Sequence, residues 1–280
     1  MAAAEQAATH AESAAAFEGG DGSPLVLLHG LTGSWPIWKP VLPYLTPHHR
    51  VLALTLPGHH GGPVLPEGVE PSVEVIADVL IADLKARGIT SAHVAGNSLG
   101  GWLALELARR GFALSVTALS PAGGWKTDQD YEDVARPFRL AFAMLPVLLL
   151  FVTLFLGLAW LRRALLKQTM EHGDRLSAAE VRSAFNDFRR TRMLPALLRN
   201  MGKVGGIQPF KAGKTPIRIA WCEHDRVIPF ARYGRPMLES IEGAERASVP
   251  GAGHVPMVDS PAEVAAHILE VTARAEAIPC

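Results

Sequence analysis

Charge is scarce and evenly balanced in this chain. Charged residues fill 19% of its 280 positions, with 27 Lys+Arg against 27 Asp+Glu. Soluble chains average roughly 25% charged residues, and a nucleic-acid-binding domain carries a clear basic excess, so that class is disfavoured and no nucleic-acid partner is expected. Cysteine is nearly absent. Cys222 and Cys280 cannot build a disulfide framework, and neither sits in a metal-type spacing. Nothing therefore demands an oxidising compartment. Lys and Arg are missing from the start of the chain, where Lys39 is the first of either. A secretory leader needs a positive segment ahead of an apolar one, and residues 1–23 have neither. The expectation is a cytoplasmic protein without a signal peptide. Apolar residues are plentiful, at 49%, which excludes disorder as a whole-chain state. The length suits one large α/β domain, or one domain carrying an insertion.

The Ala-rich residues 1–23 read as a tail with one weak strand near Ser13–Glu18, and Gly19–Pro24 as a turn. Short apolar runs then alternate with helical patterns. Strands are expected at Leu25–His29, Arg50–Leu56, Ala92–Gly96 and Leu114–Leu119, with helices at Pro36–Leu45, Pro71–Arg87 and Ser98–Arg110. Gly88 reads as a left-handed cap closing the second helix. Residues 121–205 look helical throughout. The alternation returns with strands at Ile217–Trp221 and Arg246–Val249 and helices at Arg232–Ile241 and Pro261–Arg274. Alternating β and α elements predict a mostly parallel sheet flanked by helices. The all-helical block is most simply an insertion, or cap. The expected division is a core over 24–120 and 206–280 and a cap over 121–205.

Gly96-Asn97-Ser98-Leu99-Gly100-Gly101 lies where a strand ends and a helix begins, and it fits G-x-S-x-G. Glycines are needed there because the turn is sharp and larger side chains would clash. Serine is a poor nucleophile until a base takes its proton. His254, in Gly251-Ala252-Gly253-His254, supplies a base, and Asp225, just past the strand Ile217–Trp221, supplies an acid to orient it. The order Ser98, Asp225, His254 is that of an α/β-hydrolase triad. Charge building on a carbonyl oxygen also needs donors. The backbone N–H groups of Leu99 and of Leu31, in His29-Gly30-Leu31-Thr32-Gly33-Ser34, are the candidates.

With these motifs in order, the chain resembles the α/β-hydrolase superfamily, in the group whose helical cap follows the sixth strand. The matching segments are HGLTGS at 29–34, LPGHHGG at 56–62, GNSLGG at 96–101, WCEHD at 221–225 and GAGH at 251–254. The resemblance implies a serine hydrolase of carboxylic esters carrying an apolar group, working through an acyl-enzyme without cofactor or metal. A carbon–carbon bond hydrolase or thioesterase using the same triad is the alternative within enzymes, and a non-catalytic ligand-binding protein the alternative outside them. Serine at position 98 disfavours the branches with an aspartate nucleophile, the haloalkane dehalogenases and epoxide hydrolases. Asn97 resembles carbon–carbon bond hydrolases, but Leu-Thr-Gly after His29-Gly30 departs from their Gly-Pro. The first two strands of the family's sheet are hard to find, so fewer than eight strands are expected.

Other roles compete for these residues. Ser98 would also suit a helix N-cap. Glu223 and Asp259 are rivals of Asp225 for the acid. His29 reads as a hydrogen-bonder under the oxyanion loop, and His59, His60 and His224 as solvated loop residues. His48-His49 precede a strand with no third metal ligand evident, and Cys222 reads as packing. Trp35, Trp38 and Asn97 are candidates for the substrate pocket, as are Leu149, Phe151 and Phe155 from the cap. Core packing is the competing role for the two tryptophans.

Leu140–Leu161 runs 22 residues without a charge, between Arg139 and Arg162. By length it qualifies as a membrane span. A single crossing would, however, put Ser98 and His254 on opposite sides of the bilayer, and Pro146 and Gly157 suggest two shorter helices. The stretch is therefore expected to be a lid lining an acyl pocket, or a lid that also contacts a membrane surface. Residues 125–205 hold 13 Lys+Arg and 8 Asp+Glu, so this block is +5 and the remainder −5. Ser177-Ala178-Ala179-Glu180 reads as a capping box opening a helix toward Asn200, with Phe185, Phe188, Met193, Leu194 and Leu197 on its buried face. Oligomeric state is left open.

Overall fold

The expected strands pair into one sheet whose central members are buried on both faces, as a parallel sheet covered by helices requires. The computed structural model describes residues 16–152 and 155–278, without the side chains of 145–152. Seven strands form the main sheet: β1 (Ala16–Gly19), β2 (Pro24–Leu28), β3 (Arg50–Leu54), β4 (Ala92–Asn97), β5 (Ala113–Leu119), β7 (Ile217–Cys222) and β9 (Glu245–Val249). Their order is β1-β3-β2-β4-β5-β7-β9. Only β1 runs antiparallel, pairing Ala16 to Gly19 with Leu54 to Val51 of β3. The weak strand expected near Ser13–Glu18 is thus this edge strand, and its first residues fall outside the described ones. Two short strands, β6 (Phe210–Lys211) and β8 (Ile241–Glu242), pair apart from the sheet.

Side chains alternate across the sheet with period two. Val26 and Leu28 of β2 and Leu52 and Leu54 of β3 enter the core under α2 (Val73–Ala86) and α3 (Leu99–Arg109). Leu25, Leu27, Val51 and Ala53 point the other way, toward α1 (Leu42–Leu45), α9 (Pro256–Asp259) and α10 (Pro261–Glu276). Ser72 caps α2 by accepting from the Val75 N–H, and Gly88 follows its end at φ +78°. α8 (Arg235–Ser240) continues from one wide helical turn at Phe230–Gly234.

Between β5 and β6 lie α4 (Asp128–Val152), α5 (Ala159–Leu166), α6 (Ala178–Arg190) and α7 (Leu194–Val204). Among the described residues, this block follows the fifth strand of the sheet in chain order. The single helix expected at Pro36–Leu45 is instead a 3-10 turn, Trp35–Trp38, and the short α1. Pro36, Pro40 and Pro43 lack the N–H donors a continuous helix needs. The helix opened by Ser177 has both halves of its capping box, but it breaks at Thr191 before α7 begins. α4 runs through both Pro137 and Pro146, so Pro146 does not divide the apolar stretch, whereas the segment around Gly157 does. Among the described residues, no helix is long and apolar enough to cross a membrane.

Candidate active site

All the candidate motifs lie at the C-terminal edge of the parallel strands. β4 ends at Asn97, and Ser98 adopts φ +56°, ψ −116° before α3 begins. That conformation is costly for a residue with a Cβ and persists only where the surroundings impose it. They do so here by crowding. A Cβ on Gly96 would come within 2.1 Å of the Gly100 carbonyl oxygen, and one on Gly100 within 2.2 Å of the Leu28 oxygen. The Ser98 hydroxyl makes no capping bond to α3, so the helix-cap role is not the one it plays. Its backbone is pinned: the Ser98 N–H donates to the Leu119 carbonyl, and the Ser98 carbonyl accepts from Trp102 and Ala122.

His254 follows β9, and its Nδ1 lies 2.7 Å from Asp225 Oδ2. The other oxygen, Oδ1, accepts the N–H groups of Val227 and Ile228, each at 2.9 Å. The carboxylate is therefore oriented by its own turn, and it fixes Nδ1 as the protonated ring nitrogen. His254 Nε2 is buried with no hydrogen-bond partner among the described residues. The rival acids are engaged elsewhere. Glu223 accepts the Gly251 N–H, and Asp259 accepts those of Glu171, His172 and Gly253.

The candidate oxyanion loop follows β2. A Cβ on Gly30 would lie 3.3 Å from Ser98 Cβ, which places this loop against the elbow. Two buried histidines hold its carbonyls. His29 accepts the Leu56 N–H at Nε2, so its Nδ1 carries the proton given to the Gly30 oxygen at 2.7 Å. His59 gives an Nε2 proton to the Leu31 oxygen at 2.9 Å. Burial lowers the pKa of His29 well below the ordinary value, with the neighbouring His59 adding to the effect, and burial brings His59 down to about 4. Both rings are thus neutral props. The expectation for His29 holds, whereas His59 is not solvated, because the LPGHHGG turn folds inward beneath the loop.

Leu31, Ser98 and Leu99 line a cleft whose far walls are Tyr131, Phe138, Leu198 and Met201 from α4 and α7, with Val227 and Ile228 closing one side. Several expected pocket residues are not there. Trp35 and Trp38 pack on the opposite face of the sheet with Phe17, because the prolines beside them start a 3-10 turn that faces that layer. Asn97 is buried beside the serine, and its Nδ2 donates to the carbonyls of Leu119 and His254, at 3.1 and 2.8 Å. Phe155 is exposed on the turn after α4. The side chains of Leu149 and Phe151 fall outside the described residues. The pocket's aromatic lining, Trp125 with Tyr131 and Phe138, was hidden in sequence because α4 and the segment just before it have no local tie to the elbow.

At the other end of the sheet, His49, His93 and Glu276 bring ligand-type atoms within 4.8 Å of one another. The third partner that the sequence did not reveal comes from α10. Both His49 nitrogens, however, already bond hydroxyls, those of Ser23 and Thr272.

The Alpha/beta hydrolase family model matches residues 25–267. The chain belongs to the alpha/beta hydrolase family. A hydrolase relative, Epoxide hydrolase EphH of Mycobacterium tuberculosis, is 33% identical over 196 residues, covering 69% of this chain and 91% of that protein. A thermophilic esterase from Thermogutta terrifontis superposes with TM-score 0.71 at 19% identity, over 93% of both chains. A membrane phospholipase A does so with TM-score 0.72 at 23% identity, over 94% of this chain and 83% of that one. These two likenesses are of the alpha/beta hydrolase fold.

Proposed function

We propose that this alpha/beta hydrolase cleaves carboxylic esters whose acyl or alcohol part is apolar, through an acyl-enzyme on Ser98. The carrying observation is a serine held at φ +56° on a strand-to-helix elbow, at a sheet edge where the Asp225-held imidazole of His254 keeps a buried Nε2 without a hydrogen-bond partner among the described residues. Ser98 Oγ bonds to the carbonyl carbon while its proton passes to His254 Nε2. The N–H groups of Leu31 and Leu99 hold the oxyanion. The C–O bond to the alcohol then breaks, and the alcohol leaves with the proton from His254. Water next attacks the acyl-enzyme, giving its proton to His254, and the acid departs as Ser98 regains its hydrogen. Asp225 keeps Nδ1 protonated and steadies the imidazolium. Apolar walls at Phe138, Leu198, Met201, Val227 and Ile228 support an apolar group on the substrate.

Epoxide opening, suggested by the name of EphH, fits a serine poorly. A carboxylate nucleophile yields an ester that water can hydrolyse, whereas Ser98 would yield an ether that it cannot. The test is labelling with a fluorophosphonate, read by intact mass beside Ser98→Ala. One adduct on the wild type and none on the variant is the expected result, followed by turnover of p-nitrophenyl esters of rising chain length. Folded wild-type protein that takes no label would overturn the reading.

A further inference from the structure

α4 is apolar on two sides. Inward, Tyr131 and Phe138 line the cleft and Phe142 packs edge-on against Phe188, with ring centroids 5.6 Å apart. Outward, Leu140 is 63% exposed and Met144 51% exposed. Beyond the end of α4, Phe155 is 56% exposed, Leu158 44% and Trp160 67%. A helix facing water on its outer side should be polar there. Exposed large apolar side chains gathered along one stretch of a folded chain mark an interaction site. The helical block that carries this face has net charge +5, from 13 Lys+Arg and 8 Asp+Glu, although Arg139, Arg163 and Lys167 pair with Glu132, Asp174 and Glu171. Residues 134–170 contain Arg136, Arg139, Arg162, Arg163 and Lys167 and no Asp or Glu.

We propose that this face docks on the surface of an anionic phospholipid bilayer. Leu140, Met144, Leu158 and Trp160 enter the boundary between headgroups and acyl chains, while Arg136 and Arg163 meet lipid phosphates. Exposed leucines and a tryptophan bordered by arginines are the composition of an interfacial element, and each cation near an anionic leaflet adds attraction. Arg162 holds the docking turn in shape, because its guanidinium donates to the carbonyls of Leu156 and Gly157. A second copy of this chain is the competing occupant. Across a two-fold axis, however, it would set one block of net charge +5 against another, and like charges facing each other oppose association. The docked surface is the back of the helix that lines the cleft, so an ester lying in the leaflet would reach Ser98 along α4. That last step rests on the hydrolase reading, whereas the docking does not.

The experiment is flotation of the full chain with vesicles of phosphatidylcholine alone or mixed with phosphatidylglycerol. It is run on the wild type, on Ser98→Ala, and on the triple variant Leu140→Gln/Met144→Gln/Trp160→Gln. Wild type and Ser98→Ala should float with the anionic vesicles at least about tenfold more than with the neutral ones. The triple variant should lose most of that partition while keeping fluorophosphonate labelling and turnover of a short soluble ester, which show that it is folded. Wild type that stays with the lipid-free fraction overturns the proposal. So does a triple variant that floats like wild type, or a wild-type dimer in light scattering that the triple variant lacks. Flotation of a protein that takes no label leaves docking in place and removes the hydrolase reading.

Discussion

Asn97 stands next to Ser98 yet acts through its neighbours. Its amide donates to the carbonyl of Leu119, at the end of β5, and to that of His254, so it ties the histidine loop to the elbow. Asn97→Ala takes the amide donor from the buried His254 carbonyl and leaves the Leu119 carbonyl only the Ser98 N–H, which costs about 1–3 kcal/mol. A lower midpoint of urea unfolding should report it, and Asn97→Asp, which turns a carboxylate toward both carbonyls, should lower it further. The histidine props make a separate prediction in pH. An unfolded His59 titrates near the ordinary imidazole value of 6.5, and the folded one near 4. Between these values the unfolded chain binds more protons, so stability is complete above the upper one and falls as pH drops toward the lower. The loss attributable to His59 is about 3 kcal/mol. Burial also depresses His29, His49 and His93, so all four act in the same direction. Thermal melts from neutral to mildly acid pH should show a falling Tm. His59→Gln, which still offers an N–H to the Leu31 carbonyl but does not titrate, should flatten that slope. An unchanged slope would contradict the neutral, buried role of this ring.

The last residue of α9 joins elements that are far apart in the chain. The carboxylate of Asp259 accepts the N–H of Gly253, beside the candidate base, and those of Glu171 and His172 from the helical block. The Val255 N–H reaches the Thr169 carbonyl at 2.9 Å, so the block grips the histidine loop on both sides. On the acid's loop, Gln168 donates to the Arg226 carbonyl, and Arg226 and Lys167 both pair with Glu171. Those two cations bring the Glu171 carboxyl down to about 2, the Lys167 bond contributing most. Asp259→Asn keeps one acceptor and turns an amide N–H toward a backbone N–H. It should destabilise the fold by about 2 kcal/mol and slow fluorophosphonate labelling of Ser98, measured as a rate against Tm. The strands, the elbow and the order of the motifs were legible in the sequence because each is written locally, as an apolar run, a glycine pair or a turn. The grip of Asp259 was not, since its partners lie far away in sequence and are backbone groups that carry no residue signature. Trp35 and Trp38 misled for a related reason. They adjoin the candidate oxyanion loop in sequence, but the side of the sheet they face is set by the proline-shaped turn at Trp35–Trp38.

Across the whole molecule, zero net charge conceals a division. Residues 125–205 carry +5 and the rest −5, from 13 Lys+Arg and 8 Asp+Glu in that block and a chain total of zero. A molecule divided in this way turns in an external field, and near an anionic surface it presents the helical block first. That block also holds the exposed apolar face and one wall of the cleft, so the orientation that satisfies the charges also brings the cleft's outer helix to the lipid. The consequence is a salt dependence specific to the form of the substrate. Screening lengths shrink from about 14 Å near 0.05 M salt to about 4 Å near 0.5 M, so encounters with an anionic leaflet weaken over that range while chemistry inside a buried cleft does not. Turnover of an ester presented in phosphatidylglycerol-containing vesicles should therefore fall with added salt through a rising KM at constant kcat. The same ester in phosphatidylcholine vesicles, and a short soluble ester, should show little change. Equal salt effects on all three would place the dependence in the fold or the chemical step and not in the approach. Reversing Arg136 and Arg163 to glutamate, both on the outer side of the block, should remove the difference between the two vesicle types and leave turnover of the soluble ester as it was.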